Sequence, residues 1–260
     1  MKTAERLSDT DSSHSPPDRP ALTQPLSLSL VLELIGMTLV PLSLLWVWQS
    51  DLMVFWDGVV RFWAEWLDLS LSLGSPTTDT LSDLSRQNDG SRAPSQAALS
   101  LTALAMLAIY LLSERMPDRY YPLATVMRGI CVIQTTALVF FEVAPASFPY
   151  TISSHVQSQL EIGYLFMLAI PLMLAMGWGV MNVGRLRKLW VPFGFLAYFA
   201  VMIPHLGLLH ALILDRFSLL FMPVLYFCFG LLLHLMVFIA FYGLLLSLTP
   251  IPIQDLRDRT

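Results

Sequence analysis

The stretch from Tyr121 to Pro145 is apolar enough and long enough to cross a lipid bilayer, and it constrains the fold more than any other part of the chain. It carries Arg128, Cys131, Gln134, Thr135 and Glu142 among its polar residues. A charge within a membrane span costs at least a few kcal/mol, so such residues face protein or water rather than lipid. We therefore expect this stretch to be one helix of a bundle, with its polar stripe turned inward.

The composition of the whole chain indicates the same class. Of its 260 residues, 55% are hydrophobic and only 13% are charged, and the mean hydropathy is +0.63. A soluble domain of this size has about a quarter of its residues charged. The net charge is -4, and the only basic cluster is at 185–188, which argues against nucleic acid as a partner.

Hydropathy divides the chain into six predicted spans, which makes the fold class an all-α integral membrane protein with a six-transmembrane-helix bundle. The first span is separated from the other five, which form one membrane bundle over 96–248. The segments outside the bundle are a polar tail at 1–25, predicted to be disordered, and a second tail at 249–260. The predicted spans are 26–48, 96–112, 121–145, 160–183, 189–214 and 217–248.

An amphipathic helix is predicted at 51–69, within the 49–95 segment that follows the first span. Apolar residues recur there at helical spacing and include Trp56, Trp63 and Trp66. This aromatic pattern is typical of a helix that lies in a membrane interface. The alternative is a docking surface for another membrane subunit. The polar, low-complexity residues 74–95 are predicted to be a flexible linker.

The basic residues predict the orientation. They concentrate in loops 113–120 and 184–188 and in the C-terminal tail, whereas loop 144–159 has none. Since cytoplasmic loops carry the excess of Lys and Arg, both termini are expected in the cytoplasm and the protein in a bacterial inner membrane.

Two charged residues are expected to pair near the cytoplasmic side. Counted at 1.5 Å per residue from the cytoplasmic span ends, Glu33 and Arg128 lie at similar depths, roughly 10 Å in. An unpaired buried Arg is expensive, so Glu33 is its predicted partner. The pair is interpreted as structural, with an ion or substrate relay as the alternative.

A second polar group is expected near the outer interface. It consists of Glu142, Glu161 and His210, with Tyr150 and His155 contributed by the adjacent loop. Two carboxylates and an imidazole could together bind a cation or move a proton. The other interpretation is that these side chains extend separately to water at the ends of their spans.

His205 and His234 raise a redox alternative. They lie on consecutive antiparallel spans at broadly similar depth, and two facing imidazoles are the ligand set of a b-type haem. Histidines with ordinary hydrogen bonds inside the bundle are the competing interpretation and the preferred one. No cofactor and no metal site are predicted.

The two cysteines, Cys131 and Cys228, lie inside separate spans and are predicted to be unpaired core thiols. Cys131 and the Asn-x-x-Arg run at 182–185 together resemble the exosortase family, a group of multipass thiol transpeptidases. That resemblance implies a nucleophilic cysteine with histidine and arginine partners. This chain has Gly129-Ile130-Cys131-Val132 where the family has Cys-Ser-Gly, and the predicted topology separates Cys131, His210 and Arg185.

The function predicted from these features is a non-enzymatic subunit or accessory factor that acts through helix contacts with another membrane protein. The alternative is a small-solute or ion transporter that uses the intramembrane charges. Prolines that would break the helices favour the transporter, whereas the lack of a repeat between the two halves disfavours it. The oligomeric state is left open. These prolines are Pro41, Pro171, Pro192, Pro204 and Pro223.

Overall fold

The computed structural model describes residues 28–69, 71, 94–177 and 184–248. All regular structure in these ranges is helical. The predictions for the tails at 1–25 and 249–260, and for nearly all of the 74–95 linker, concern residues outside the described ranges. The main helices are α1 (Leu28–Val47), α2 (Gln49–Trp66), α3 (Gln96–Glu114), α4 (Tyr121–Val143), α5 (Ile152–Gly177), α6 (Arg185–Arg216), α7 (Met222–Val224) and α8 (Leu232–Ser247).

Six helical segments in the described ranges are long and apolar enough to cross a membrane, which agrees with the number predicted from hydropathy. Many of their large hydrophobic side chains face outward, among them Leu101, Val132 and Leu165, each more than 60% exposed. An apolar exterior of this extent is expected where lipid replaces water as the solvent. The chain is therefore described as a multipass membrane protein.

The last of these segments changes helical type along its length. It begins with a 3₁₀ turn at Leu219–Phe221, continues through α7 into a π-helix at Leu225–Leu231, and ends as α8. At the end of the π-helix, the N–H of Leu232 donates to the carbonyl of Phe227, five residues earlier. A π-turn inside a helix is rare and frequently marks a functional site.

The helices pack around two hydrophobic cores. α5 and α6 form the central pair, against which α1, α2 and α8 complete the larger core. The smaller core joins α4 to the 3₁₀ turn and α7 through Ala137, Phe141, Leu220 and Met222. α3 packs mainly against α4, so it stands at the edge of the bundle.

A helix is present where the Trp-rich amphipathic helix is predicted, and it is docked against α6 through one tryptophan. Trp56 is fully buried, and its indole Nε1 donates to the carbonyl of Ala200 at 2.7 Å. Pro204, which has no N–H, follows that carbonyl by four residues, so Ala200 O lacks its helical donor. The indole therefore satisfies a backbone acceptor that the proline leaves unpaired.

α2 buries only part of its apolar surface within the protein. Val60 and Ala64 are buried against the bundle, whereas Phe62 and Trp66 are exposed and Trp63 is partly buried beside His205. The small side chain of Ala64 allows close approach between α2 and α6. The position of α2 in a membrane interface stays a prediction.

Candidate functional site

A local hydrogen-bonding motif fixes where α5 begins. The N–H of Ser154 donates to Thr151 Oγ1 at 3.1 Å, and the N–H of Thr151 donates to Ser154 Oγ at 2.9 Å. This reciprocal arrangement is a capping box, which satisfies free N–H groups at a helix start. The helix consequently starts at Ile152, eight residues before the predicted start of the span at 160. His155, which was predicted to lie in a loop, is in the first turn of α5.

His155 contacts His210 of α6 inside the bundle. Its Nε2 lies 3.3 Å from His210 Nδ1, and the two ring centroids are 5.5 Å apart. Both side chains are at most 3% exposed. A hydrogen bond between two neutral imidazoles needs one N–H and one bare nitrogen, so the proton lies on either His155 or His210. The pair therefore has two tautomeric arrangements with the same geometry.

A third buried histidine, His234, lies at the start of α8. Its Nδ1 bonds to the carbonyl of Gly230 at 2.5 Å. Because a carbonyl only accepts, Nδ1 carries the hydrogen, and Nε2 of the neutral ring is a bare acceptor. The ring is also stacked on Phe199, with centroids 5.9 Å apart.

Gly230, in the π-helix, brings α5 and the last segment into close contact. A Cβ at this position would lie 2.6 Å from Oε1 and 2.8 Å from Nε2 of Gln159, closer than real Cβ atoms approach other atoms. A larger residue at this point of the helix would displace the Gln159 amide from its position. Gln159 lies on α5 one turn after His155, so the π-helix and the histidine pair belong to one region of the core.

Several buried nitrogens in this region have no hydrogen-bond partner among the described residues. They are the Nε2 atoms of Gln159, His210 and His234. His210 also lies beside the backbone of Phe229 and within electrostatic range of His234. We define the histidine core as His155, Gln159, His210, Gly230 and His234. Unpaired buried polar atoms are costly, so their concentration here is typical of a site that exchanges protons or ligands.

A cleft of about 300 Å³ reaches the histidine core from the end of the bundle formed by loop 144–151. Its polar side includes His155, Ser158 and Tyr226, and the hydroxyls of Ser158 and Tyr226 are 3.3 Å apart. Aromatic rings of Phe148, Tyr150 and Phe227 are also in its wall. We refer to it as the histidine cleft.

The opposite side of the histidine core is closed by aromatic side chains. Phe166, Phe199 and Phe238 are buried, and the ring of Phe166 contacts those of Phe199 and Phe238. Both Phe166 and Phe199 contact His234. Among the residues described, the polar path therefore runs from the histidine cleft to His234 and ends at this aromatic layer.

The predicted pair between Glu33 and Arg128 is not formed. Glu33 Oε2 instead lies 3.3 Å from Nζ of Lys188, which is 4% exposed. Arg128 donates through Nε to Ser113 Oγ at 3.2 Å and through Nη2 to the Ser113 carbonyl at 3.4 Å. The reason is the packing order: α1 lies on α5 and α6, whereas α4 lies on α3. Glu33 and Arg128 were expected at similar depth, but α1 and α4 pack against different helices.

The predicted outer cluster of Glu142, Glu161 and His210 is also not assembled. Both carboxylates are on exposed residues, and Glu161 accepts from Gln157 of its own helix at 3.2 Å. His210 is fully buried and turned toward His155. The two carboxylates extend separately to the surface instead of gathering around His210.

His205 and His234 do not face each other as haem ligands would. His205 is exposed, beside Trp63, and its Nδ1 bonds to the Val201 carbonyl at 2.7 Å. Phe199, which stacks on His234, precedes His205 by six residues, and six residues turn a helix by about 600°, which places the two on different faces. Within the described ranges, no three His, Cys, Asp or Glu side chains form a group that could hold a metal.

Cys131 is a buried, unpaired thiol, and its Sγ donates to the Met106 carbonyl at 3.6 Å. Among the described residues it has no histidine partner, which removes the nucleophile–base contact that a thiol transpeptidase needs. Asn182 of the Asn-x-x-Arg run lies outside the described residues.

Comparisons with protein-family models, with characterised proteins and with solved structures find no match. The chemistry of the site therefore rests on its own geometry.

Sequence reasoning did not identify Gln159, Tyr226 and Gly230 as site residues. A usable signal was present at one of them: His155, Ser158 and Gln159 have the i, i+3, i+4 spacing of one helix face. Placing the span start at 160 left these three residues in a loop and removed the signal. Hydropathy and residue spacing do not reveal the π-helix that contains Tyr226 and Gly230.

Proposed function

We propose that this protein is a proton-coupled membrane transporter that admits a small solute to the histidine cleft. The observation that carries this proposal is the buried contact between His155 and His210, with the cleft on one side and His234 on the other. Imidazole gains and loses a proton near neutral pH, which makes histidine the usual proton carrier in proteins.

The two tautomers of the histidine pair supply the chemistry. A proton that arrives at His155 from the cleft displaces the shared hydrogen toward His210, and the proton on the far nitrogen of His210 can then leave toward His234. His155 and His210 each end in the other neutral tautomer and must reset before the next transfer, whereas His234 holds the transferred proton as an imidazolium until the aromatic layer opens and releases it to the other side. His234 can accept on Nε2, because its Nδ1 is committed to the Gly230 carbonyl.

The helix irregularities support a mobile site. The π-helix, Pro204 and Pro223 all lie on the segments that present His210 and His234. Transporters commonly bind their substrates at discontinuous helices and open alternately to the two sides. With both termini in the cytoplasm of an inner membrane, as we propose, the cleft opens outward and the aromatic layer is the closed inner gate.

The test is proton uptake by the reconstituted full-length chain. Liposomes containing the protein and an internal pH-sensitive dye are given an inside-negative potential with valinomycin and a potassium gradient. We expect internal acidification faster than in protein-free liposomes. Equal rates, with and without a panel of small solutes outside, would contradict the proposal.

A second candidate is the subunit or accessory factor predicted from the sequence. The observation that favours it is the peripheral position of α3, of which only Leu99, Thr102 and Ser113 are buried. Its remaining surface has room for a helix of a partner protein. Native purification followed by mass spectrometry discriminates the two: a stoichiometric membrane partner supports this candidate, and its absence supports the transporter.

A further inference from the structure

The wall of the histidine cleft selects the charge of a ligand. Its lining, as far as the chain is described, contains no Asp, Glu, Lys or Arg. A charged solute that left water for this cleft would find no counter-charge, and an unpaired charge in an apolar environment is strongly disfavoured. The cleft therefore favours an uncharged ligand.

The aromatic residues in the wall of the histidine cleft favour a particular ligand shape. Phe148 is in edge contact with Tyr150, with centroids 5.7 Å apart, and Phe227 contacts Tyr226 at 5.4 Å. Together these rings line an opening of about 300 Å³, at the small end of the range for ligand sites. Stacked or edge-on contact with such rings favours a planar ring system over a saturated one.

The hydroxyls of Ser158 and Tyr226 can together donate one hydrogen bond to a ligand in the cleft. Ser158 Oγ and Tyr226 OH share one hydrogen bond, in which either atom is the donor. Two hydroxyls own two hydrogens, and the bond between them uses one. The other hydrogen is available to a ligand, whichever hydroxyl carries it.

His155 supplies a second polar contact that adapts to the ligand. Its Nε2 is engaged with His210, so Nδ1 is the ring nitrogen left for the cleft. Nδ1 donates when the shared proton belongs to His210 and accepts when it belongs to His155. A ligand group that donates to Nδ1 therefore selects the opposite tautomer of the histidine pair from a group that accepts.

We propose that the histidine cleft binds small, uncharged, planar molecules that carry a hydrogen-bond acceptor for the Ser158–Tyr226 hydroxyls and a second polar group for His155. This rests on the proposed function in that it names the solute class of the same site. Binding of such a molecule sets the tautomer of the histidine pair, which links solute and proton in one site.

The test measures binding of three probes to the purified full-length chain by isothermal titration calorimetry in detergent. 4-Hydroxybenzamide is neutral and planar, 4-hydroxybenzoate has the same ring with a negative charge, and trans-4-hydroxycyclohexanecarboxamide is neutral and keeps both polar groups without a planar ring. We expect the first to bind and the other two to bind more weakly by about tenfold or more, because the benzoate brings an unpaired charge into the cleft and the saturated ring loses the aromatic contact. Equal or tighter binding of the benzoate, or no binding of the benzamide, would overturn the proposal.

Single and double variants of Ser158 and Tyr226 test whether these hydroxyls donate to the ligand. Ser158→Ala leaves the Tyr226 hydroxyl, and Tyr226→Phe leaves the Ser158 hydroxyl, so each single variant keeps one donor and should bind the benzamide within about threefold of wild type. The double variant lacks both hydroxyls of this pair and should bind about tenfold more weakly. Thr136→Ala, an exposed hydroxyl bonded to its own helix, is the matched control.

An unchanged affinity in the double variant would overturn the assignment of the donor. The titration uses no gradient, so its outcome is separate from that of the transport assay. Normal proton uptake without benzamide binding would refute the solute class alone. Benzamide binding without proton uptake would refute transport and leave the binding site standing.

Discussion

Replacing Trp56 with Phe tests whether the indole satisfies the carbonyl that Pro204 leaves without a donor. The variant removes the 2.7 Å hydrogen bond to Ala200 O and leaves that partly buried acceptor unpaired. An unsatisfied buried group costs about 1–3 kcal/mol, and interhelical hydrogen bonds measured within membranes average about 0.6 kcal/mol. We therefore expect a loss of about 1–2 kcal/mol in the free energy of unfolding, part of it from the smaller ring.

The decisive comparison is the same substitution in a Pro204→Ala background. The alanine introduced by that change has an N–H that can donate to Ala200 O in the ordinary helical way, so the polar part of the cost should disappear. Unfolding in mixed micelles with increasing dodecyl sulfate, followed by circular dichroism, gives the four free energies of the cycle. A coupling of about 1 kcal/mol is expected, and additivity within about 0.3–0.5 kcal/mol would refute the reasoning. Trp66→Phe, at an exposed position, is the control.

Three further outcomes are expected. Glu33→Gln removes the carboxylate next to buried Lys188 and should lower the free energy of unfolding by about 2 kcal/mol. The loss is smaller than for a fully buried pair because Glu33 is partly exposed. Asp57→Asn, which breaks an exposed ion pair, is the control and should change the free energy of unfolding by less than about 0.5 kcal/mol. Gly230→Ala forces the Gln159 amide to move aside and should lower the free energy of unfolding by about 0.5–1.5 kcal/mol in the same assay. Gly243→Ala, with open space around it, should not destabilise the protein. Fusions to the last residue test the proposed cytoplasmic C-terminus. A fused fluorescent protein should fluoresce, and a fused periplasmic phosphatase should be inactive. The reverse pattern would contradict the proposal.

The number and approximate limits of the membrane-spanning helices could be predicted because hydropathy and span length are properties of local sequence. The start of α4 at Tyr121 agrees with the prediction. The start of α5 does not, since the polar residues 152–159 lower the hydropathy of what is nevertheless helix. Their polarity is explained by the site that they form.

The partners of the polar residues could not be predicted by counting depth along the spans. Arg128 and Glu33 are at comparable depth but lie on helices that pack against different neighbours, Ser113 and Lys188 respectively. Which helices are neighbours depends on side-chain packing over the whole bundle. His210 was recognised as a candidate and His155 was placed near it, but their direct contact required the position of α5 against α6.

The irregular backbone was the least predictable part of the site. Prolines at 204 and 223 indicate broken helices, yet neither position reveals that the π-helix lies at Leu225–Leu231. That π-helix places Gly230 against Gln159, and the Gly230 carbonyl bonds to Nδ1 of His234.

The most direct test of the central claim is proton uptake into liposomes by three single histidine variants at matched protein density. His155→Gln and His210→Gln interrupt the buried contact, whereas His205→Gln changes an exposed histidine that bonds only to its own helix. We expect both variants of the buried pair to fall to the rate of protein-free liposomes and the His205 variant to keep the wild-type rate. Wild-type uptake by either buried-pair variant, with the folded protein present in the membrane, would contradict the proton path through His155 and His210.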